Sequence, residues 1–518
     1  MFKEEHHVTT RPTAAASSAG AHVDETADEY GWPTNDLKRR LTPGQLTMMS
    51  LGGAIGAGLF VGSGAAVSIA GPAVLVAYAI AGAIIICIMY MLGEMAVREP
   101  TSGAFSVFAE RAMGRVAGST VGWLYWVQMI IVVAAEAMGA AGVMNGWFPA
   151  LGVGGWIIVF MAVFTALNLM DVKHYGRAEF WFAMLKVIAI IAFLVLGAAL
   201  LLGLIPNVPS PGFSNLLPAE GFAPTGIVGI ASALLIVMFA FGGTEIAAIA
   251  AAETSEPSTS ITKAVRSVVF RILVFYIGSI FVIVSAMHWN DPKVHEGPFA
   301  AVLELTHIPF VDTIIKIIVV VALLSALNAN LYAGSRMIFS LSTRGNAPVF
   351  LSRVSPAGVP RIAVIASVIF GFATGVVAMF NPDDNLLVPL LNAIGSTLIV
   401  LWICIAISFL ILRRRSDREG ERLEFRVPGG QAVAIFALVG LVAIVVIAMG
   451  DPDARVQLLQ TIGLAIILAV ISWIVFSAKR GSAGSAAREA AAAPRPREVR
   501  AEDAARAEHE ALLDRRAD

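Results

Sequence analysis

Long apolar runs separated by short polar stretches organise this chain. A membrane-spanning helix needs about 20 apolar residues to cross about 30 Å of hydrocarbon. Windows of that kind fall at roughly 44–70, 71–96, 117–146, 153–170, 178–204, 226–252, 267–288, 311–341, 361–380, 386–412, 431–450 and 456–477. The pattern predicts an all-α integral membrane protein with about twelve transmembrane helices. Two runs are interrupted by glycine at matching places: Gly52-Gly53-Ala54-Ile55-Gly56-Ala57-Gly58-Leu59-Phe60 in the first, and Phe239-Ala240-Phe241-Gly242-Gly243-Thr244-Glu245 in the sixth. Hydrocarbon offers no hydrogen-bond partners, so backbone groups released by a break must be buried in protein or face a wet cavity. Paired breaks therefore point to a midplane site that binds something polar.

The breaks open two halves of five helices, about 44–204 and 226–412, with two extra helices at about 431–477. The first span runs in one direction across the membrane and the sixth in the other, so the halves are expected to form an inverted repeat. The membrane domain as a whole covers residues 37–478, flanked by tails at 1–36 and 479–518. Both tails are polar and alanine-rich, and are read as disordered because they bury too little apolar surface to offset ordering entropy. Glu498 to Arg516 is read as solvated tail or a short surface helix.

Composition agrees with the membrane reading: 57% of residues are apolar and 14% charged, against about 45–50% and about 25% in soluble domains. Charge distribution adds the orientation. With the N-terminus inside, 30 of the 36 Lys and Arg residues fall in inside segments. Only Lys293 and Arg455 fall outside, and Lys186, Arg271, Lys316 and Arg336 lie within spans. The positive-inside rule then puts both termini in the cytoplasm and requires an even helix count. No short apolar core precedes the first span, so that helix is expected to direct insertion itself.

The first break carries the clearer chemistry. Unwinding near Ala54 to Gly58 would start a half-helix at mid-depth, with N–H groups and a positive dipole end facing the cavity, a setting that suits a carboxylate. Gly56 and Gly58 let the backbone approach a ligand directly. The other reading is close packing, because Gly52-xxx-Gly56 and Gly58-xxx-Gly62 fit the small-xxx-small pattern of touching membrane helices. At the second break, carbonyls from Phe239 to Gly242 are placed to accept from an ammonium. Donors and acceptors at one depth suit a zwitterion. The rings of Phe239 and Phe241 either pack or touch the ligand.

Ionisable groups inside spans are costly and mark function by default. Lys186 lies about nine residues, or roughly 13 Å, from the inner end of its span, too deep to snorkel without strain. Glu136 and Glu245 also lie deep; Glu245 follows the second break and either meets a cation or forms a structural ion pair. Arg271 and Arg336 sit near inner helix ends, as snorkelling residues or gate anchors. Asn328 and Asn330 read as polar lining or interhelical hydrogen bonds. Trp123, Tyr125 and Trp126 read as interfacial belt or core against substrate contact.

Several classes are set aside. The eight histidines show no ligand spacing and avoid span centres, so neither a membrane-embedded enzyme nor a metal or cofactor is expected. Cys87 and Cys404 fall inside spans and act as small apolar groups. A channel needs a continuous lined pore rather than a site closed between two halves. No nucleic-acid partner is expected, and oligomeric state is not legible.

Four motifs carry a family likeness: Gly53-Ala54-Ile55-Gly56-Ala57-Gly58-Leu59-Phe60, Gly71-Pro72-Ala73, Leu92-Gly93-Glu94-Met95-Ala96 and Pro100-Thr101-Ser102-Gly103-Ala104-Phe105. Later segments continue it, among them Gly122-Trp123-Leu124-Tyr125-Trp126, Tyr175 to Trp181, Ala252-Glu253-Thr254-Ser255-Glu256-Pro257 and Ser325 to Met337. Together they resemble bacterial amino acid permeases of the amino acid–polyamine–organocation superfamily, over roughly 37–478. Thr244-Glu245-Ile246, the run 274–280 and Ala301 to Leu305 look most like gamma-aminobutyrate permeases.

The resemblance implies a five-plus-five inverted-repeat fold and alternating-access uptake of an amino acid with protons across the cell membrane. By position, backbone donors among Ala54, Gly56, Ala57 and Gly58 would hold the substrate carboxylate, and carbonyls of Phe239, Ala240 and Gly242 its amine, with Glu245 beside them. Lys186 resembles the lysine that stands where sodium binds in sodium-coupled relatives, so it and Glu136 are the expected proton-coupling residues. Ala57 stands where many relatives have Thr, and Thr262 where many have Pro. Small residues at the breaks favour gamma-aminobutyrate, proline or another small amino acid. Exchange, transport of aromatic or other amino acids, and an amino acid sensor remain the alternatives.

Overall fold

The computed structural model describes Gly44, Met48 and residues 53–492, apart from 102, 171, 251–256, 357, 382–385 and 421–424. For 172–179, 250, 257–258, 268–269, 271–273, 296 and 479–492 it describes the backbone alone. Both tails, except for the stretch up to 492, lie outside the described residues.

The described chain is helical, with no strand among the described residues. Its elements in order are α1 (Ala57–Phe60), α2 (Gly62–Ala70), α3 (Val74–Arg98), α4 (Ala104–Met113), α5 (Arg115–Trp147), α6 (Gly152–Asn168), α7 (Val172–Leu201), α8 (Gly226–Phe241) and α9 (Ile246–Ala250). They continue as α10 (Pro257–Arg271), α11 (Gly278–Ala286), α12 (Pro292–Glu296), α13 (Pro298–Glu304), α14 (Val311–Thr343), α15 (Arg361–Phe380), α16 (Leu387–Glu419), α17 (Gln431–Ala448) and α18 (Pro452–Ala492).

Among the described residues ten helical stretches are long and apolar enough to cross a membrane. One of them, Gly62–Arg98, joins the end of the first expected span to the second. It is not a single rod. Gly71 adopts φ +62° and Pro72 follows at the start of a 3₁₀ turn, the glycine-stop and proline-start signals of adjoining helices. The seventh expected span appears as a shorter apolar helix, Val274–Ala286, whose first turn belongs to a π-helical stretch at Ile272–Ile277. The last helix runs on to Ala492, past the apolar window ending at 477.

Burial sorts these helices into centre and rim. The apolar window in Gly226–Ile249 is 78% buried, whereas that in Pro452–Ala478 is 17% buried, so the broken helix is central and α18 is peripheral. α5 packs along α14 and also against α16, while α8 packs against α2, α3 and α16. Glycine permits the tightest of these approaches. A Cβ on Gly395 of α16 would run into the carbonyl oxygen of Leu235 on α8, so the two backbones touch there.

Buried ion pairs fasten the helix ends that the charge pattern assigns to the cytoplasm. Glu94 on α3 accepts from Arg413 on α16 at 2.5 Å and from the backbone N–H of Val427 at 2.6 Å. Glu110 on α4 accepts from Arg344 at 2.5 Å and from Asn346 at 3.2 Å, and Arg344 also reaches the Ser106 hydroxyl. Burial lowers the Arg344 pKa from its ordinary value, with the Glu110 carboxylate opposing that shift. Of the two readings of Arg336, snorkelling is set aside, because the side chain is buried with its guanidinium over the Tyr332 ring at 4.1 Å. Trp123 and Trp126 donate to the Asn346 carbonyl and the Ser367 hydroxyl, so both tie helices together. Asn328 accepts from Asn168 at 2.8 Å, an interhelical bond.

The α8–α16 contact generates a stability test. Overpacking a tight core costs about 1–3 kcal/mol or more, so Gly395→Val should lower the melting temperature of the purified protein in detergent. Gly463 on α18 has nothing near its would-be Cβ, and Gly463→Ala should leave that temperature unchanged or slightly raised.

Candidate functional site

Both glycine-rich segments are broken helices, and they meet. Gly56, with φ −148° and ψ −142°, is non-helical and stands immediately before α1. In the sixth span α8 ends at Phe241, Gly242 turns out of the helix at ψ 151°, and Gly243 takes φ +90° before α9 begins. A Cβ on Gly243 would strike the Gly53 carbonyl, and one on Gly58 would come within 2.5 Å of the Ala240 Cα. The two breaks thus touch backbone to backbone, so ligand approach and close packing draw on the same glycines.

The released backbone groups find partners at this junction. The Ala57 N–H donates to the Glu136 carboxylate, at 2.9 Å to Oε2 and 3.1 Å to Oε1. Glu136 comes from α5 and is buried. Gly56 makes room for it, since a Cβ there would overlap Oε1. Tyr276, in the π-helical stretch, donates its hydroxyl to the Ala54 carbonyl at 2.9 Å. The Phe239 carbonyl accepts the Gly242 N–H at 2.9 Å, which leaves its second lone pair.

Lys186 on α7 is fully buried and interacts electrostatically with Glu136. The interaction sets an ionisable amine near the carboxylate that meets the first break. Glu245, just past the second break, is also buried. Neither of its oxygens makes a hydrogen bond of normal geometry among the described residues, although the Gly243 amide and Thr244 hydroxyl lie near. Tyr125 on α5 interacts electrostatically with Glu245, and its hydroxyl is likewise buried without a hydrogen-bond partner among the described residues.

Between the breaks lies a cavity of about 10 Å³, enough for about one water. The first break contributes Gly53, Ala54 and Gly58, and the second contributes Phe239, Gly242 and Gly243. α5 supplies Gln128, Met129, Val132 and Glu136, and α14 supplies Asn330. Admitting anything larger than water requires the walls to part. Beyond α1 a wider vestibule of about 600 Å³ opens, lined among others by Phe60, Val61, Trp147, Phe299, Glu304 and Lys316. Gly58 faces the cavity and Phe60 the vestibule, so the single turn of α1 is the wall between them. Phe60 is backed by Phe299 at 4.9 Å, and Phe299 by Phe193 at 4.5 Å.

The expected residues therefore sort as follows. Ala54, Gly58, Phe239, Gly242 and Glu136 share the cavity wall; Gly56, Ala57 and Ala240 stand directly behind it; Lys186 reaches it through Glu136; Glu245 lies beside the second break. Gln128 and Tyr276 were not singled out from sequence. Among the described residues no group of His, Cys, Asp and Glu is arranged to hold a metal ion.

The family model described as amino acid permease matches residues 45–483. The chain belongs to the amino acid permease family. It is 46% identical over 400 residues to a probable GABA permease of Pseudomonas aeruginosa, covering 76% of this chain and 84% of that protein. It is 44% identical over 435 residues to the aromatic amino acid transport protein AroP of Corynebacterium glutamicum, covering 83% and 93%. A gamma-aminobutyric acid permease of Bacillus subtilis is 41% identical over 452 residues, covering 87% and 96%. This permease is accordingly a multi-pass membrane transporter of amino acids.

The permease's junction of glycines should tolerate no side chain. Gly243→Ala places a Cβ at a positive φ and against Gly53, and Gly58→Val drives α1 off α8. Both should abolish amino acid uptake in cells expressing the protein. Gly142, which lines the vestibule and has nothing near its would-be Cβ, should accept Ala with uptake intact.

Proposed function

We propose that this permease takes up a small zwitterionic amino acid of the gamma-aminobutyrate type together with protons. The carrying observation is the Glu136 carboxylate on the Ala57 N–H, because that donor is where a substrate carboxylate would bind. Substrate and Glu136 then compete for one site. A proton on Glu136 removes the charge that holds it to the α1 dipole and to Lys186, and the substrate carboxylate takes its place. Loss of that proton on the other side returns Glu136 to the N–H and expels the substrate. Lys186 stays as the cation that makes either carboxylate welcome in a buried site. At the other end the substrate ammonium meets the Phe239 to Gly242 carbonyls and Glu245.

The walls support a compact substrate: Met129, Val132 and Phe239 close around the junction, and Ala57 and Gly243 add no bulk. Two of the similar proteins named above are called gamma-aminobutyrate permeases. Aromatic transport is the second reading, favoured by the likeness to AroP. The positive-charge pattern supports an orientation with both termini in the cytoplasm and the vestibule outside, and we take the cell membrane as the site of uptake. The ten long stretches, the shorter seventh helix and the partly described first span accord with twelve helices in two inverted halves of five plus two extra.

In proteoliposomes with an imposed inward proton gradient, labelled gamma-aminobutyrate should accumulate against its concentration gradient. Binding without accumulation would indicate a sensor, and accumulation only against preloaded amino acid an exchanger. Stronger competition by phenylalanine than by proline or beta-alanine would overturn the small-substrate reading.

Coupling has its own test. Glu136→Gln and Lys186→Met should each lose accumulation driven by the proton gradient while retaining exchange of substrate across the membrane. Gradient-driven accumulation surviving in both variants would move proton coupling elsewhere, with Glu245 the next carboxylate to examine.

A further inference from the structure

Gln128, Val132 and Glu136 are spaced by four on α5, so they form one stripe down the helix, and all three line the cavity. Gln128 is fully buried. Neither its Nε2 nor its Oε1 has a hydrogen-bond partner among the described residues. Buried polar atoms are nearly always paired, and an amide with both ends unpaired inside a protein asks for a reason. The cavity's other polar side chains are engaged: Glu136 holds the Ala57 N–H, and the Asn330 amide donates to the Ala326 carbonyl at 2.8 Å. One turn further along the same face, Tyr125 presents a second buried polar group, a hydroxyl with no hydrogen-bond partner among the described residues. Polarity therefore continues from the cavity along α5, away from the carboxylate end.

We propose that Gln128 determines substrate specificity by reading a polar group on the part of the substrate remote from its carboxylate. The inference rests on the carboxylate being held at the first break. An amide offers one acceptor and one donor group, so Oε1 would accept from an ω-ammonium of the gamma-aminobutyrate class or from a hydroxyl, and Nε2 would donate to a hydroxyl. Met129, Val132 and Phe239 line a cavity with room for only about one water, so a wholly apolar substrate end in that space would leave the buried amide poorly paired. Sites built to hydrogen-bond a substrate reject analogues that lack the group far more strongly than apolar pockets reject an extra methylene.

The test compares wild type, Gln128→Met and Gln128→Glu in proteoliposomes, reading inhibition constants for gamma-aminobutyrate, phenylalanine and tyrosine. Ratios of constants are independent of how much protein folds. Gln128→Met should shift the gamma-aminobutyrate to phenylalanine ratio by about ten- to a hundredfold in favour of phenylalanine, the factor expected for leaving a buried partner unpaired. Gln128→Glu should shift it the other way. If wild type does not take gamma-aminobutyrate, the small-substrate reading fails by itself. Gln128 is then judged on tyrosine against phenylalanine, a preference that Gln128→Met should shift toward phenylalanine. Equal weakening of all substrates, or unchanged ratios, would overturn the proposal. Should Gln128→Met not fold, the ratio in Gln128→Glu decides alone, an unchanged value overturning it.

Discussion

A backbone N–H set free inside a membrane must find an acceptor in the protein, because lipid tails supply none. At the first break of this permease the acceptor for Ala57 is a side chain on another element, Glu136 of α5, 79 residues along the chain. Much of the local architecture follows. Position 56 must be glycine to admit the carboxylate. The buried carboxylate in turn favours a cation close by, and Lys186 acts on it. The carbonyl side of the same break is met by Tyr276. The broken helix is thus stable because its released groups are answered one by one, and it is changeable because the answering groups are side chains that titrate or rotate.

The rest of the molecule holds this junction from one end. Glu94–Arg413 and Glu110–Arg344 are buried ion pairs joining α3 to α16 and α4 to the end of α14. Such pairs add little net stability against apolar replacements, but removing one partner strands a charge and costs about 3–5 kcal/mol. They fix which helix ends stay together, whereas the breaks at mid-depth are held by single hydrogen bonds and glycine contacts.

How much of this was legible depended on the range of the interaction. Span positions followed from local hydropathy, and the breaks from their own glycines, as did the Gly71–Pro72 turn between α2 and α3. What Glu136 touches was not legible, since its partner is 79 residues away in the chain. The distance of Arg336 from a helix end left snorkelling and gate anchoring open; its burial over the ring of Tyr332 removes the first. Gln128 passed unnoticed because α5 is buried on so many faces that no polar stripe stands out against an apolar one. The π-helical turn at Ile272–Ile277 leaves no mark in a uniformly apolar run.

The contact between the two breaks has a mechanical character of its own. Gly53 meets Gly243, and Gly58 meets Ala240, so the facing surfaces carry almost no side chain. Packed helices ordinarily interlock ridge into groove, and displacing them means lifting knobs out of holes through a set of rotamer changes. Here there is little to interlock. Where backbone lies on backbone no ridge locks one half-helix against the other, so the glycines that close the site are also the ones that leave few side chains to hinder a displacement of the two.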